Sequence, residues 1–418
     1  MSDPLDGLFA LPSLFADGAI PVCWSYGMGV ESTAGLVRML IEPSFRPPQL
    51  RGDLSNLIVM VAQTGDEWTS TCDLVATHVL PLLSDRKVRF IEVARAGPSA
   101  ADGIVVLQDS RSPTVLHPDP LVDGFYALSA EHRSNGVLPT LGGTRSCSAK
   151  AKGMPLDRWR ATHLVQQPYL HAVGFNAEEL RRIEKDSSVT MGGQRHPIYP
   201  LHAAGWSRER CQGYLFGLFG VWWPKSCCRQ CPFISQRGWP EQLDRFQAAP
   251  AEAFEHLVDE YVAIALNRKS GLFGPGKSLT DRLRRDGAEQ VLALAAAALD
   301  RCGWAVYRVR RCYSGPANAW RAVETIFRGS RAEATAFLDE LAAHLRICPS
   351  SDGEHVRIWL THPCTTYPRV EEFVTAAPDS VVDKKRPGFE TRWHGHAGAR
   401  LLATEQAMHT FAETLSAA

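Results

Sequence analysis

From about Ile20 to Pro232, short apolar runs alternate with stretches of helical periodicity. Ile20–Trp24 reads as a first strand. Thr33–Ile41 follows it with apolar residues at Ala34, Val37, Leu40 and Ile41, the spacing of a helix with one buried face. Leu57–Ala62 is a continuous apolar run of strand length, the pattern of a strand covered on both faces. Val88–Val93 and Tyr169–Gly174 are further candidates. Strand and helix in alternation predict an α/β domain over residues 20–239, with a mostly parallel sheet and helices on both faces.

Between Arg95 and Gly143 the chain is rich in Pro, Gly, Ser and Asp and only weakly periodic, which predicts a loop-rich insertion of the kind that covers a site. Residues 1–19 read as an N-terminal extension. The character changes again after Pro232, and residues 240–418 are expected to form a smaller α+β region. There Pro240–Asn267, Thr280–Asp300 and Arg331–Leu345 read as helices, and Trp304–Val309 and His355–Leu360 as strands, with a soft boundary at Arg268–Ser278.

Composition changes this picture little. The 418 residues are 45% hydrophobic and 22% charged with a formal net charge of zero, so nothing global demands a polyanionic partner. No N-terminal basic segment leads into an apolar core, and no run approaches the length of a membrane span. A cytoplasmic chain with no membrane partner is expected. Its 11 cysteines then sit in a reducing compartment, where clustered thiols read as metal or catalytic sites.

The most informative segment is Ser25-Tyr26-Gly27-Met28-Gly29-Val30-Glu31-Ser32-Thr33, between the first strand and its helix. Two glycines admit close backbone approach, hydroxyls add donors, and the helix start supplies unpaired N–H groups, together a site for phosphate. A tight turn capped by Ser32 needs no ligand, and this segment alone does not separate the two readings. The second strand ends in Gln63-Thr64-Gly65-Asp66-Glu67-Trp68, where a nucleotide crevice opens in such sheets.

Taken together, the segments resemble the phosphoadenosine phosphosulfate (PAPS) reductase-like branch of the PP-loop ATP pyrophosphatases. SYGMGVESTA resembles its pyrophosphate loop and AQTGDEW its second nucleotide motif. HAVGFNAEELRR, YPLHAAGWSRERCQGYL and PKSCCRQCPF are similar to its later motifs and occur in the expected order. The resemblance spans most of residues 20–233 and implies a Rossmann-like, adenine nucleotide alpha hydrolase-like fold. It also implies ATP, or PAPS, bound with Mg²⁺. Ser25, Tyr26, Gly27, Met28, Gly29, Ser32 and Thr33 would surround the phosphates. Gln63, Thr64 and Gly65 would lie beside the nucleotide, Gly174 would allow close approach, and Arg181 or Arg182 would meet a phosphate. Ser32, Asp66 and Glu67 are the implied catalytic set. Many such loops carry a lysine where this chain has Met28 or Val30, so neutralising charge must come from elsewhere. Asp66 and Glu67 read either as metal-side carboxylates or as solvated loop acids.

Cys227-Cys228-Arg229-Gln230-Cys231 places three thiols within five residues. In the resembling family an upstream cysteine motif joins the later pair around an iron–sulfur cluster, which implies Cys147, Cys227, Cys228 and Cys231 as ligands of a [4Fe–4S] cluster. Zinc and free thiols are the alternatives. The remaining cysteines read as small buried hydrophobes.

No Glu-Cys-Gly-type motif supplies the nucleophile of a sulfate reductase, since Cys348 and Cys364 sit in other contexts. The expected reaction is therefore cleavage of ATP to AMP and pyrophosphate, adenylating an acceptor that sulfur then attacks. Thiolation enzymes of DNA or RNA, including the ATP pyrophosphatase of DNA phosphorothioation systems, are similar in this combination. A nucleic-acid acceptor and a sulfur donor such as a cysteine desulfurase are the implied partners. PAPS reduction and non-catalytic nucleotide sensing are the alternatives. Gly271–Ser278 matches the Walker A pattern literally, but a helical pattern rather than a strand precedes it. His394-Gly395-His396 and Asp383–Pro387 read as surface.

Overall fold

The computed structural model describes residues 20–143, 145–189, 193–316, 319–397 and 410–411. The expected N-terminal extension lies outside them. The chain divides into two compact units, Met1–Leu128 with Arg145–Cys231, and Ser129–Thr144 with Pro232–Ala418. Residues 268–278 thus lie inside the second unit. The Arg95–Gly143 segment is shared, its last part belonging to the second unit.

The first unit is α/β. Its six strands are β1 (Val22–Ser25), β2 (Leu57–Gln63), β3 (Arg89–Arg95), β4 (Ile104–Ser110), β5 (Tyr169–Val173) and β6 (Arg195–Ile198), in the order β4-β3-β2-β1-β5-β6. All neighbours are parallel except β3 and β4. Every residue of β2 is buried, as a strand covered on both faces requires. One apolar layer packs Val22, Trp24, Val59 and Leu170 against helix α1 (Val30–Ile41). The other packs Cys23, Ile58, Met60 and Ile91 against Trp159 of the helix Met154–His163. The antiparallel edge strand β4 falls where the sequence predicts loops, because its residues are only half-buried and lack a strong alternation.

The second unit is built on a separate antiparallel sheet. Its strands are β7 (Trp304–Tyr313), β8 (Ala319–Gly329), β9 (Ser350–Asp352), β10 (His355–Thr361), β11 (Arg369–Pro378) and β12 (Lys384–Lys385), ordered β12-β8-β7-β11-β10-β9. Alternate residues of β7 feed opposite faces. Trp304 and Val306 meet Phe337 and Leu341 of the helix Arg331–Leu345, while Ala305 and Tyr307 meet Val262 and Leu266 of the helix Phe254–Leu266. The central pair β7–β11 carries charge across it: Arg311 pairs with Glu371 in register at 2.9 Å, and Arg308 reaches diagonally to Glu372 at 2.5 Å. Two long helical expectations are each interrupted, at Pro250 and at Gly287, whose φ of 78° no helix accommodates. No helix among the described residues is long and apolar enough to cross a membrane.

One contact fixes how the first unit's site is assembled. A Cβ at Gly174, just after β5, would lie 2.7 Å from Ser32 Cα and 3.1 Å from Ser32 N. The start of α1 therefore rests directly on the end of β5, and backbone cannot yield as a side chain can. Gly174→Ala is expected to cost about 1–3 kcal/mol in urea unfolding. Gly27→Ala, where a Cβ meets nothing within 4 Å, should stay within about 0.5 kcal/mol of the parent. Equal effects of the two substitutions would contradict this packing.

Candidate functional site

β1 ends at Ser25 and α1 begins at Val30, so the loop between them leaves the carboxyl edge of the sheet. From β1 the chain moves to β2 on one side and later returns to β5 on the other, so the order reverses beside this loop. Tyr26 and Met28 turn inward, 3% and 1% exposed, and the Tyr26 hydroxyl meets Thr33 Oγ1 at 3.0 Å. With Thr33 also buried, these three side chains shape the loop from beneath. Met28 has φ of 59°, the left-handed region, and Trp223 Nε1 donates to its carbonyl at 2.9 Å.

Ser32 acts within the loop. Its hydroxyl accepts from Gly27 N at 3.1 Å and donates to Ser25 O at 3.4 Å. Gly29 is the N-cap of α1, with no side chain bonded to the helix start. The first-turn N–H groups are thus left without a side-chain cap at a position suited to an anion. Glu31, in that turn, is matched by Arg208 at 2.7 Å.

Beneath the loop lies a relay that the sequence reading missed. Arg195 Nε can only donate, and it does so to His171 Nδ1 at 2.6 Å. The imidazole proton is therefore on Nε2, which donates to Ser25 Oγ at 2.7 Å. Arg160 Nη1 donates to the same oxygen at 3.4 Å. With two donors on its oxygen, Ser25 has its own hydrogen left to donate elsewhere. Arg195 is held in turn by Asp186 at 2.5 Å, which also accepts from Tyr199 at 2.8 Å. Burial, then the charges of Arg160 and Arg195, hold His171 well below its ordinary value of 6.5, so it stays neutral. A polar residue inside the apolar run Tyr169–Gly174 was the available signal.

The acids at the end of β2 are not solvated: Asp66 is 0% and Glu67 4% exposed. Lys152 Nζ meets Glu67 Oε1 at 2.5 Å. The cysteine segment folds back over the acids, bridging Glu67 to Cys228 in antiparallel fashion. Arg229 N donates to Asp66 O at 2.9 Å and Arg229 Nη2 to Gly65 O at 3.0 Å. Thr64 Oγ1 stands 3.6 Å from Cys228 Sγ. Gly65, with φ of 77°, makes the turn. Gln63 is turned away, donating to the buried Glu92 at 2.5 Å. Glu67 Oε2 and both amide atoms of the buried Gln230 have no hydrogen-bond partner among the described residues.

The expected cysteines divide. Cys227, Cys228 and Cys231 belong to this patch, whereas Cys147 sits partly exposed on a short helical turn leading to the turn that carries Lys152. Among the described residues no three or more His, Cys, Asp or Glu stand in metal-holding geometry. Burial opposes charge on Lys152, but the Glu67 carboxylate beside it outweighs burial and raises the ammonium's pKa. Burial, reinforced by Glu67, raises the Cys228 thiol well above its ordinary range, Lys152 opposing. Cys228 is thus a protonated thiol as it stands. Arg181 and Arg182 lie on the exposed start of the helix Leu180–Ser187, with Arg182 ion-paired to Glu179 and stacked over Phe175.

No family model, no curated protein and no solved structure matches the chain.

The His171 relay carries a pH signature. The unfolded chain takes up a proton on this residue near 6.5 and the native state does not, so its contribution is fully present above that pH and is lost as pH falls below it. Urea midpoints measured at about pH 7.5 and about pH 5.5 should drop more in the parent than in His171→Gln. Identical drops would refute the neutral assignment.

Proposed function

We propose that the first unit is a Rossmann-like, adenine nucleotide alpha hydrolase-like domain that binds ATP with Mg²⁺ and cleaves it between the α and β phosphates. The reading is carried by one observation: a helix start with no side-chain cap stands where the strand order reverses, on a loop that is open to approach at Gly27. The parallel strands run β3-β2-β1-β5-β6, an arrangement suited to a nucleotide lying across the ends of β1 and β5.

In this reading the first-turn amides of α1 and the Ser25 hydroxyl bind the departing pyrophosphate, and stabilise the charge that grows on it. Ser32 holds the loop in its receptive shape. Asp66 and the free oxygen of Glu67 face the metal carried with the nucleotide. An acceptor oxygen attacks the α phosphorus, the bond to the bridging oxygen breaks, and pyrophosphate leaves. The acceptor is a nucleic acid, in a cytoplasmic protein that draws sulfur from a donor such as a cysteine desulfurase.

Three neighbouring thiols beside orphaned polar atoms at Glu67 and Gln230 suit a bound inorganic group. We assign Cys147, Cys227, Cys228 and Cys231 as ligands of a [4Fe–4S] cluster, which when bound supplies sulfur-handling or redox chemistry beside the nucleotide. Lys152 offsets the negative charge that ligation by thiolates brings.

Calorimetric titration is expected to show binding of Mg-ATP and not of PAPS. Ser32→Ala and Asp66→Ala should lower pyrophosphate release about 10²–10³-fold with unchanged circular dichroism. Full activity in both would remove the site assignment. Selective PAPS binding would replace activation by sulfate reduction, with Cys348 or Cys364 as the nucleophile.

Protein purified without oxygen should contain iron and acid-labile sulfide, both lost in Cys228→Ser. Their absence from the parent would eliminate the cluster.

A further inference from the structure

The second unit holds a cavity of about 310 Å³, within the size range of small-molecule sites. Its apolar wall comes from two helices: Leu257, Tyr261 and Ile264 of Phe254–Leu266, and Leu292, Ala295 and Leu299 of Glu289–Arg301. The opposite rim is the loop that carries the literal Walker A match, through Gly276, Lys277 and Ser278.

That loop is not a phosphate cradle. Its amides are already committed to the buried carboxylate of Glu260, which accepts from Leu272 N at 3.0 Å, Leu279 N at 2.8 Å and Thr280 N at 3.0 Å. The Thr280 hydroxyl adds a fourth bond at 3.3 Å, and Ser278 caps the short helix that follows. A phosphate arriving there would find an anion in its place. What the arrangement achieves is a fixed rim beside an apolar wall.

Charge on the rim is uneven. Asp281 is matched by Arg284 at 3.1 Å, Glu354 lies 4.0 Å from the same arginine, and Asp352 lies 3.8 Å from Arg357. Arg268 and Lys277 have no carboxylate partner among the described residues, and both are exposed at the mouth. An occupant that satisfies both halves has an apolar body and an anionic end. We propose that this cavity binds a small organic anion with an aliphatic body, such as a medium-chain carboxylate, its chain between the two helices and its carboxylate between Arg268 and Lys277.

The experiment uses the full chain and octanoate as the probe, followed by calorimetry. Octanoate should bind, and 1-octanol, with the same body and no charge, should bind at least about tenfold more weakly, as expected for loss of a charge-assisted contact. Arg268→Ala/Lys277→Ala should weaken octanoate about tenfold and leave octanol unchanged. Ala296→Phe, at an exposed lining position, should block both ligands. Near-ultraviolet circular dichroism and Mg-ATP binding serve as controls for folding and for the first unit. Equal binding of octanoate and octanol, no binding of octanoate, or full binding to a folded Ala296→Phe protein would each overturn the proposal.

Discussion

Burying two adjacent carboxylates at the end of a central strand is the constraint on which the first unit's site depends. Asp66 and Glu67 follow β2 by way of Thr64 and the Gly65 turn, and both are buried like the seven residues of the strand. A buried carboxylate left alone is costly, and the fold answers by bringing two separated stretches to it. Lys152 arrives from an irregular helical turn, Arg229 from the cysteine segment, and the backbone of Cys228 closes a bridge to Glu67. The same folding-back carries Trp223 and Ser226 alongside the loop after β1, where they fix Met28 and touch Gly29. Acid pair, thiols and glycine loop therefore form one assembly.

Two buried glutamates in this chain show what distinguishes a structural carboxylate from one with capacity to spare. Glu260 receives three amides and a hydroxyl, and its work is to hold a rim. Glu67 has one oxygen against Lys152 while the other has no hydrogen-bond partner among the described residues. Polar atoms in protein interiors are nearly always satisfied, so Glu67, unlike Glu260, keeps an acceptor to spare, and both amide atoms of the buried Gln230 do as well.

Much of the first unit was legible in sequence because its signals are local. A wholly apolar strand such as β2 and a periodic helix such as α1 announce themselves, and so does a Gly/Ser turn between them. The edge strand β4 and the second unit's strand β11 did not, for different reasons. β4 is half-exposed and lacks a clean alternation. β7 is expected only as far as Val309; its last residues, like β11, hide their alternation behind arginines and glutamates that meet across the sheet, a pairing that no single strand displays. The candidate site divides in the same way. Ser32 and Gly174 stand out as loop and glycine, but that Ser32 ties the loop to itself and that Gly174 leaves room for Ser32 is seen only in the structure. His171, Arg195, Arg160 and Lys152 act through partners far away in sequence, and periodicity has no access to those.

Charge at the site bears on the missing loop lysine. The cations nearby are matched: Arg208 by Glu31, Arg160 by Asp157, Lys152 by Glu67, and Arg229 lies 3.9 Å from Asp66. A polyphosphate entering this balance draws on Lys152 or Arg229 only at the expense of a buried acid. Backbone amides and the Ser25 hydroxyl offer dipoles, but no net charge. On the reading proposed above, the neutralising charge comes with the nucleotide as Mg²⁺, and the Glu67 oxygen that has no hydrogen-bond partner among the described residues is suited to face it. A loop with Met28 in place of lysine and a buried acid pair beside it are then two sides of one arrangement. On that reading the protein keeps its own charges in balance and the ligand brings the cation.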